Sequence, residues 1–259
     1  MTTKTKSPAT VGLQDLVDVD GRNVGERGFF CYMSKRKSDG YQRKQRWLQA
    51  RFSEGLRLKL LPSPERGFIE YAPGEHCWRA VEADGYLVIH CLWVVGKSKG
   101  RGLGELLLDA CLEDARRSKA RGVVMLTSER VWLAKRALLD KRGFECADST
   151  GPFSLMVKKL GKHPSPTVAG DWEKKAKALG KGLTILRSDQ CPYIPDAVAA
   201  AQAAAEKADV KHRVVELESR KDLLRLSPSP YGVFGLALDS RLLAYHYLLE
   251  KDLAPLLGG

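Results

Sequence analysis

The chain has 259 residues, enough for one large or two ordinary domains, and its 44 % hydrophobic and 29 % charged content is that of a soluble globular protein. No apolar run approaches the roughly 20 residues of a membrane span, so no membrane partner is expected. The net charge is +12 and uneven: residues 171–259 hold 13 Lys+Arg against 12 Asp+Glu, which leaves a surplus of 11 for residues 1–170. A basic first part suits a polyanionic ligand, yet its basic residues are scattered and form no tract, zinc motif or RNA-binding motif, so nucleic acid is not expected as a partner.

Met1-Thr-Thr-Lys-Thr-Lys-Ser-Pro8 lacks the apolar core of a signal peptide and reads as a disordered tail. Gly28–Met33 reads as a strand. Tyr41–Phe52 follows with Trp47, Leu48 and Phe52 at helical spacing, ending at Gly55. Leu56–Leu61 and Gly67–Tyr71 are strand-like, and Tyr86–Val95 is a long apolar strand. Gly102–Arg121 is a helix stopped by Gly122. Val123–Thr127 is a buried strand, Trp132–Arg142 a helix stopped by Gly143-Phe144, and Phe153–Leu160 another strand. Residues 161–170, rich in Pro, Gly and Ser, read as a linker. Beyond it come a strand at Leu183–Arg187, an alanine-rich helix at Pro195–Lys207 and a strand at Lys211–Leu217. A short helix at Arg220–Leu226, strands at Pro230–Leu238 and Arg241–Leu249, and a helix within Lys251–Leu257 complete the order βαβαββα. The six cysteines, at 31, 77, 91, 111, 146 and 191, form no C-x-x-C pair and read mostly as reduced core residues of a cytoplasmic protein.

Lys99-Gly-Arg-Gly-Leu-Gly104 joins the apolar strand to the helix after it. A strand, a basic glycine-rich turn and a helix N-terminus make a cradle for an anion: amide N–H groups point outward, the helix dipole favours negative charge, and glycine permits close approach. The dinucleotide pattern G-x-G-x-x-G fails at Glu105, and the Walker pattern fails as well. What fits is [Arg/Gln/Lys]-x-x-Gly-x-Gly, as Lys99, Gly102 and Gly104. This resembles the acetyl-CoA pyrophosphate loop of the Gcn5-related N-acetyltransferases (GNAT), and the order of elements over roughly residues 10–160 is similar to that family's core. Asp39-Gly-Tyr with Trp47, Gly67–Val81 and Thr127–Leu133 resemble the family's YoaP-like group, which carries a small extra domain at its C-terminus.

The resemblance implies an α/β protein with a mixed sheet: a GNAT acyltransferase domain over residues 1–160, a linker over 161–170, and a small thioredoxin-like domain over 171–259. It implies transfer of an acetyl group from acetyl-CoA, the cosubstrate, to an amine of a small molecule by direct attack, with no metal. Gly100, Arg101, Gly102, Leu103 and Gly104, with Lys99, are then expected at the pyrophosphate. Two neighbouring strands are expected to splay, leaving backbone groups of Leu92 and Val94 for the pantetheine arm, with the Val94 N–H polarising the thioester carbonyl.

Attack requires a neutral amine, hence a base. His90 is the first candidate: its parity with Leu92 and Val94 places it on their side of the sheet, and arylalkylamine acetyltransferases carry a histidine at the matching place. Glu70, a carboxylate interrupting an apolar strand, is the second; Glu75 and His76 come third. Tyr71, Glu75 and Trp78 are the candidates for lining the acceptor site, with Trp47, Trp93 and Trp132 as further wall residues. The tyrosine that often reprotonates the CoA thiolate in this family falls at Leu139, and the asparagine common at the start of that helix falls near Trp132. Gln190-Cys-Pro-Tyr-Ile194 resembles a glutaredoxin turn without its second cysteine, which implies a thiol of lowered pKa at a helix start and a cis bond at Ser229–Pro230. The alternative function is therefore a thiol-handling or carrier-binding protein in which Cys191 acts and the first domain is a scaffold.

Overall fold

Two mixed sheets share their apolar cores in the computed structural model, which describes residues 11–168 and 170–257. The tail expected at residues 1–8 lies outside them. In chain order the first part gives β1 (Val17–Val19), α1 (Val24–Arg27), α2 (Asp39–Phe52), β2 (Arg57–Leu60), β3 (Gly67–Pro73), β4 (Val81–Glu82) and β5 (Leu87–Val94). It continues with α3 (Leu103–Arg117), β6 (Gly122–Thr127), α4 (Arg136–Asp140), β7 (Glu145–Thr150), β8 (Phe153–Lys159) and β9 (Thr167–Val168). The second part gives α5 (Trp172–Ala178), β10 (Leu183–Arg187), α6 (Ile194–Lys207), β11 (His212–Glu216), α7 (Arg220–Leu226), β12 (Phe234–Leu238), β13 (Arg241–Ala244) and α8 (Glu250–Leu253).

The first sheet runs β1-β2-β3-β5-β6-β8-β7 and is antiparallel except for the β5–β6 pair. On one face, α3 lays Leu103, Leu107 and Cys111 against Ile69, Tyr71, Ile89 and Leu92. On the other, α2 brings Trp47 and Leu48 against Phe68 and Ala72. A Ser38 hydroxyl accepts the Tyr41 N–H at 3.3 Å and caps α2.

The second sheet runs β11-β10-β12-β13, with β10 parallel to β11 and antiparallel to β12. Leu183, Ile185 and the α6 residues Ala197 and Ala201 join the same core as Val88, Val124 and Leu155 of the first sheet. The two parts are thus not separate globules on a free tether. The segment read as a linker is itself strapped down: β9 pairs with β4, and the Pro164 carbonyl accepts the Tyr86 hydroxyl at 2.6 Å.

Several expectations are corrected. Gly28–Met33 forms no strand, because Phe30 and Tyr32 take positive φ and the apolar run folds into turns. The helix read at Trp132–Arg142 is only Arg136–Asp140. Gly122 does not cap α3; it starts β6, where a Cβ would collide with the Lys158 carbonyl. Ser63–Pro64 is the cis peptide among the described residues, so Ser229–Pro230 is trans. No helix among the described residues is long and apolar enough to cross a membrane.

Candidate active site

The cradle is built from backbone. Gly96, Gly100 and Gly102 have φ of +60°, +74° and +74°, a region that costs glycine little and other residues more. A Cβ at any of the three would meet nothing within 4 Å, so the loop faces open space. Gly102 is the N-cap of the 15-residue α3 and has no side chain to bond the helix's first N–H groups. Those groups, with the positive helix end, are free for an anion. Lys97 and Lys99 are exposed beside it, while Arg101 is held by Glu65 at 2.6 Å. The Ser98 hydroxyl fixes the loop by accepting the Arg66 N–H at 2.9 Å and donating to Glu65 at 2.7 Å.

From the cradle a gap runs back into the sheet. β5 and β6 pair only from Leu87 with Val123 to Ile89 with Met125, and then diverge. Val95 N–H bonds the Arg66 carbonyl on the β3 side, so by alternation the backbone groups of Leu92 and Val94 point toward β6, where they have no strand partner.

The divergence begins at a β-bulge. Glu70 pairs with Cys91 and Tyr71 with Ile89, which leaves His90 as the extra residue of β5. The bulge breaks the alternation. His90 and Cys91 both turn to the α2 face, whereas Leu92 and Val94 pack on the α3 face. The expectation that His90 shares a side with Leu92 and Val94 is overturned by this inserted residue.

On the α2 face four polar side chains form a buried floor: Lys44, Glu70, Arg79 and His90 are each 2–4 % exposed. Lys44 Nζ donates to Glu70 Oε2 at 2.6 Å. His90 Nε2 accepts the Trp78 N–H at 2.9 Å, so the proton of the neutral ring sits on Nδ1, 3.4 Å from Glu70 Oε1. Burial pushes the His90 pKa down to about 4 against the pull of Glu70. Burial pushes the Glu70 carboxyl up, but Lys44 and His90 outweigh it and hold it at about 2. At neutral pH the histidine is uncharged with its lone pair engaged, and the carboxylate is ionised and paired. Neither has the free lone pair and near-neutral pKa of an efficient base.

This floor opens into a cavity of about 870 Å³ between the two parts of the chain. The Phe29–Lys35 turns form one wall. Gln190, Cys191, Pro192 and Tyr193, ahead of α6, form another, and Trp93, Val95 and Gly96 link the cavity to the cradle. The two parts fit closely here: a Cβ on Gly40 would overlap the Pro192 carbonyl, and Arg220 Nε donates to the Cys77 carbonyl at 3.1 Å.

Of the residues read from sequence, the structure brings His90, Glu70, Cys191, Trp93 and Trp132 to this one cavity. Trp47, His76 and the three candidates for the acceptor wall lie outside it. Tyr71 is on the α3 face, fully buried, its hydroxyl bonded to Asp114. Trp78 is buried edge-on against Trp47 at 5.5 Å and serves His90 through its backbone. Glu75 is exposed and accepts the Gly85 N–H at 2.7 Å, bracing a turn. Cys191 is three residues short of α6, and burial raises its thiol pKa, the opposite of the expected lowering. Cys31 and Cys91 also line the cavity with raised pKa values, Cys91 at about 12 through burial. Leu139, where a tyrosine was sought, is fully buried against the α3 core. No group of three or more metal-binding side chains exists among the described residues. Lys44 and Arg79 escaped the sequence reading; a lone charge amid aromatic and apolar residues, Trp78-Arg79-Ala80-Val81, was the available signal.

Residues 64–144, which hold β3, β5, the cradle and α3, match the model of the acetyltransferase (GNAT) family. The uncharacterized N-acetyltransferase YoaP of Bacillus subtilis (strain 168) is 25 % identical over 246 residues, covering 93 % of this chain and 98 % of that protein. Among solved structures, a GNAT family acetyltransferase from Brucella melitensis in complex with acetyl-CoA is 15 % identical, with a TM-score of 0.38 over 60 % of this chain and 95 % of that one. The putative acetyltransferase yncA from Salmonella typhimurium, with acetyl-CoA, is 16 % identical, with a TM-score of 0.41 over 60 % and 98 %. Residues 64–144 are thus a stretch of GNAT acetyltransferase type, in a chain similar along most of its length to an N-acetyltransferase.

Proposed function

We propose that this protein transfers an acetyl group from acetyl-CoA to an amine of a small molecule held in the cavity between its two parts. The observation that carries the reading is the β5–β6 gap: it runs from an open anion cradle to a buried polar floor, with the Leu92 and Val94 backbone groups unpaired along it. The cradle N–H groups of Gly100 to Gly104, with Lys99, take the pyrophosphate. Leu92 and Val94 bond the pantetheine arm as a missing strand would, and the Val94 N–H faces the thioester oxygen as it gains charge.

The neutral amine then attacks the thioester carbon directly, the C–S bond breaks as CoA leaves as a thiolate, and the proton shed by the new amide nitrogen passes to that thiolate or to solvent water. In this reading His90 and Glu70 position the floor and set its charge; they do not shuttle protons. Turnover therefore follows the free-base fraction of the acceptor amine, and kcat/KM rises with pH up to the acceptor's own pKa with no plateau near pH 6–7. The residues over 171–259, with a parallel β10–β11 pair and antiparallel β12 and β13, act as a thioredoxin-like wall of the acceptor site. A calorimetric titration with acetyl-CoA tests the proposal: micromolar binding that is weakened at least about ten-fold in a Gly102→Val variant supports it, and absence of binding to the folded protein overturns it.

A further inference from the structure

Arg79 lies beneath the cavity and carries a charge that no carboxylate among the described residues pairs. Its Nη1 donates to the Trp78 carbonyl at 2.8 Å and to Gln190 Oε1 at 2.5 Å, and Nη2 donates to the His90 carbonyl at 2.6 Å. Three of five donors are thus used, all on neutral acceptors. Nε is buried with no partner, and the Tyr231 ring stacks 5.2 Å from the guanidinium carbon. Among the described ion pairs none includes Arg79, and the one nearby carboxylate, Glu70, is committed to Lys44.

A buried cation without an anion is an expensive state, and a guanidinium with a free edge is shaped for a carboxylate. The wider lining has the same sign: Lys35, Lys44, Arg66 and Arg79 face the cavity against Glu70. The remaining walls are aromatic, with Phe29, Phe30, Trp93 and Tyr193 among them.

We propose that the acceptor is an amine that also bears a carboxylate, an amino acid with an apolar or aromatic side chain, and that Arg79 is the residue that binds the carboxylate. The proposal rests on the reading of this cavity as the acceptor site. Arg79 is held at both ends of its guanidinium by backbone and by Gln190, so little ordering is left when the carboxylate arrives. Gln190 comes from the second part of the chain and is itself fixed by the Gly232 carbonyl at 2.8 Å, so the selectivity depends on that part being docked.

The experiment uses the full chain saturated with CoA and three probes of one shape: phenylalanine, 3-phenylpropionate and phenethylamine. Calorimetry is expected to show both carboxylates binding at least about ten-fold more tightly than phenethylamine. In Arg79→Met, with folding verified by thermal melting, that preference disappears, and Arg79→Lys restores part of it. Equal binding of all three, preference for phenethylamine, or no carboxylate binding up to about 10 mM overturns the proposal. The wild-type comparison stands even where Arg79→Met fails to fold. A parallel acetyl-transfer assay separates the two levels. Acetylation of amines with no advantage for those bearing a carboxylate removes this inference and leaves the acetyltransferase reading intact, whereas failure to bind acetyl-CoA removes the latter.

Discussion

The cradle and the cavity floor present charge in opposite ways. The cradle is exposed, contiguous in sequence and made of backbone N–H groups at Gly96–Gly104. The floor is buried and made of side chains from α2, β3, β5 and the segment before β4, with Gln190 added from the far side. A backbone site tolerates change at neighbouring side chains but not at its glycines. A buried side-chain site is a coupled set, in which removing one charge strands another.

The sharpest way to break this comparison is Glu70→Ala. It leaves the Lys44 ammonium buried without an anion, and we expect a loss of about 3–5 kcal/mol in urea unfolding, most of it recovered in the Lys44→Met, Glu70→Ala double variant. A loss under about 1 kcal/mol would show that the floor is not coupled. Next is pH. His90 is held at about 4 against about 6.5 in the unfolded chain, so between these values the unfolded state binds the extra proton. Stability should fall as pH drops from about 6.5 to about 4, by up to about 3 kcal/mol, and His90→Gln should flatten that slope in calorimetric melts. The Glu70 carboxyl, held at about 2, adds a second loss that begins below its unfolded value and continues to about pH 2.

The cradle should respond differently. Gly102→Val places a β-branched residue at φ +74° and should weaken CoA binding at least about ten-fold, at a cost of about 1–2 kcal/mol in stability. The smallest effect is expected for Lys99→Ala: about two- to three-fold in CoA affinity, disappearing at high salt, because this lysine is exposed and screened.

The same contrast explains what could be read without coordinates. The cradle was legible because its elements are neighbours in sequence and its glycines punctuate them: Gly102 caps α3 as the pattern required. Glu70 was legible as a charge inside an apolar strand. The side on which His90 projects was not, since one inserted residue in β5 reverses a period-two argument and leaves no mark in composition. Tyr71 and Trp78 looked like pocket residues by proximity in sequence, but successive strand positions face opposite ways and Tyr71 is committed to Asp114. Arg79 acquires its meaning only from Gln190, 111 residues later, and no local pattern encodes that.

The apolar core common to both sheets also bears on how the chain is made. Val88, Val124 and Leu155 find their cover in Ile185, Ala197 and Ala201, which leave the ribosome after them. The first sheet therefore emerges with one apolar side bare until the second sheet and α6 cover it. A nascent chain halted before α6 is therefore expected to self-associate, which sedimentation of such a truncated chain would show. The part of the chain that covers the first sheet thus also supplies Gln190, whose contact with Arg79 lines the cavity.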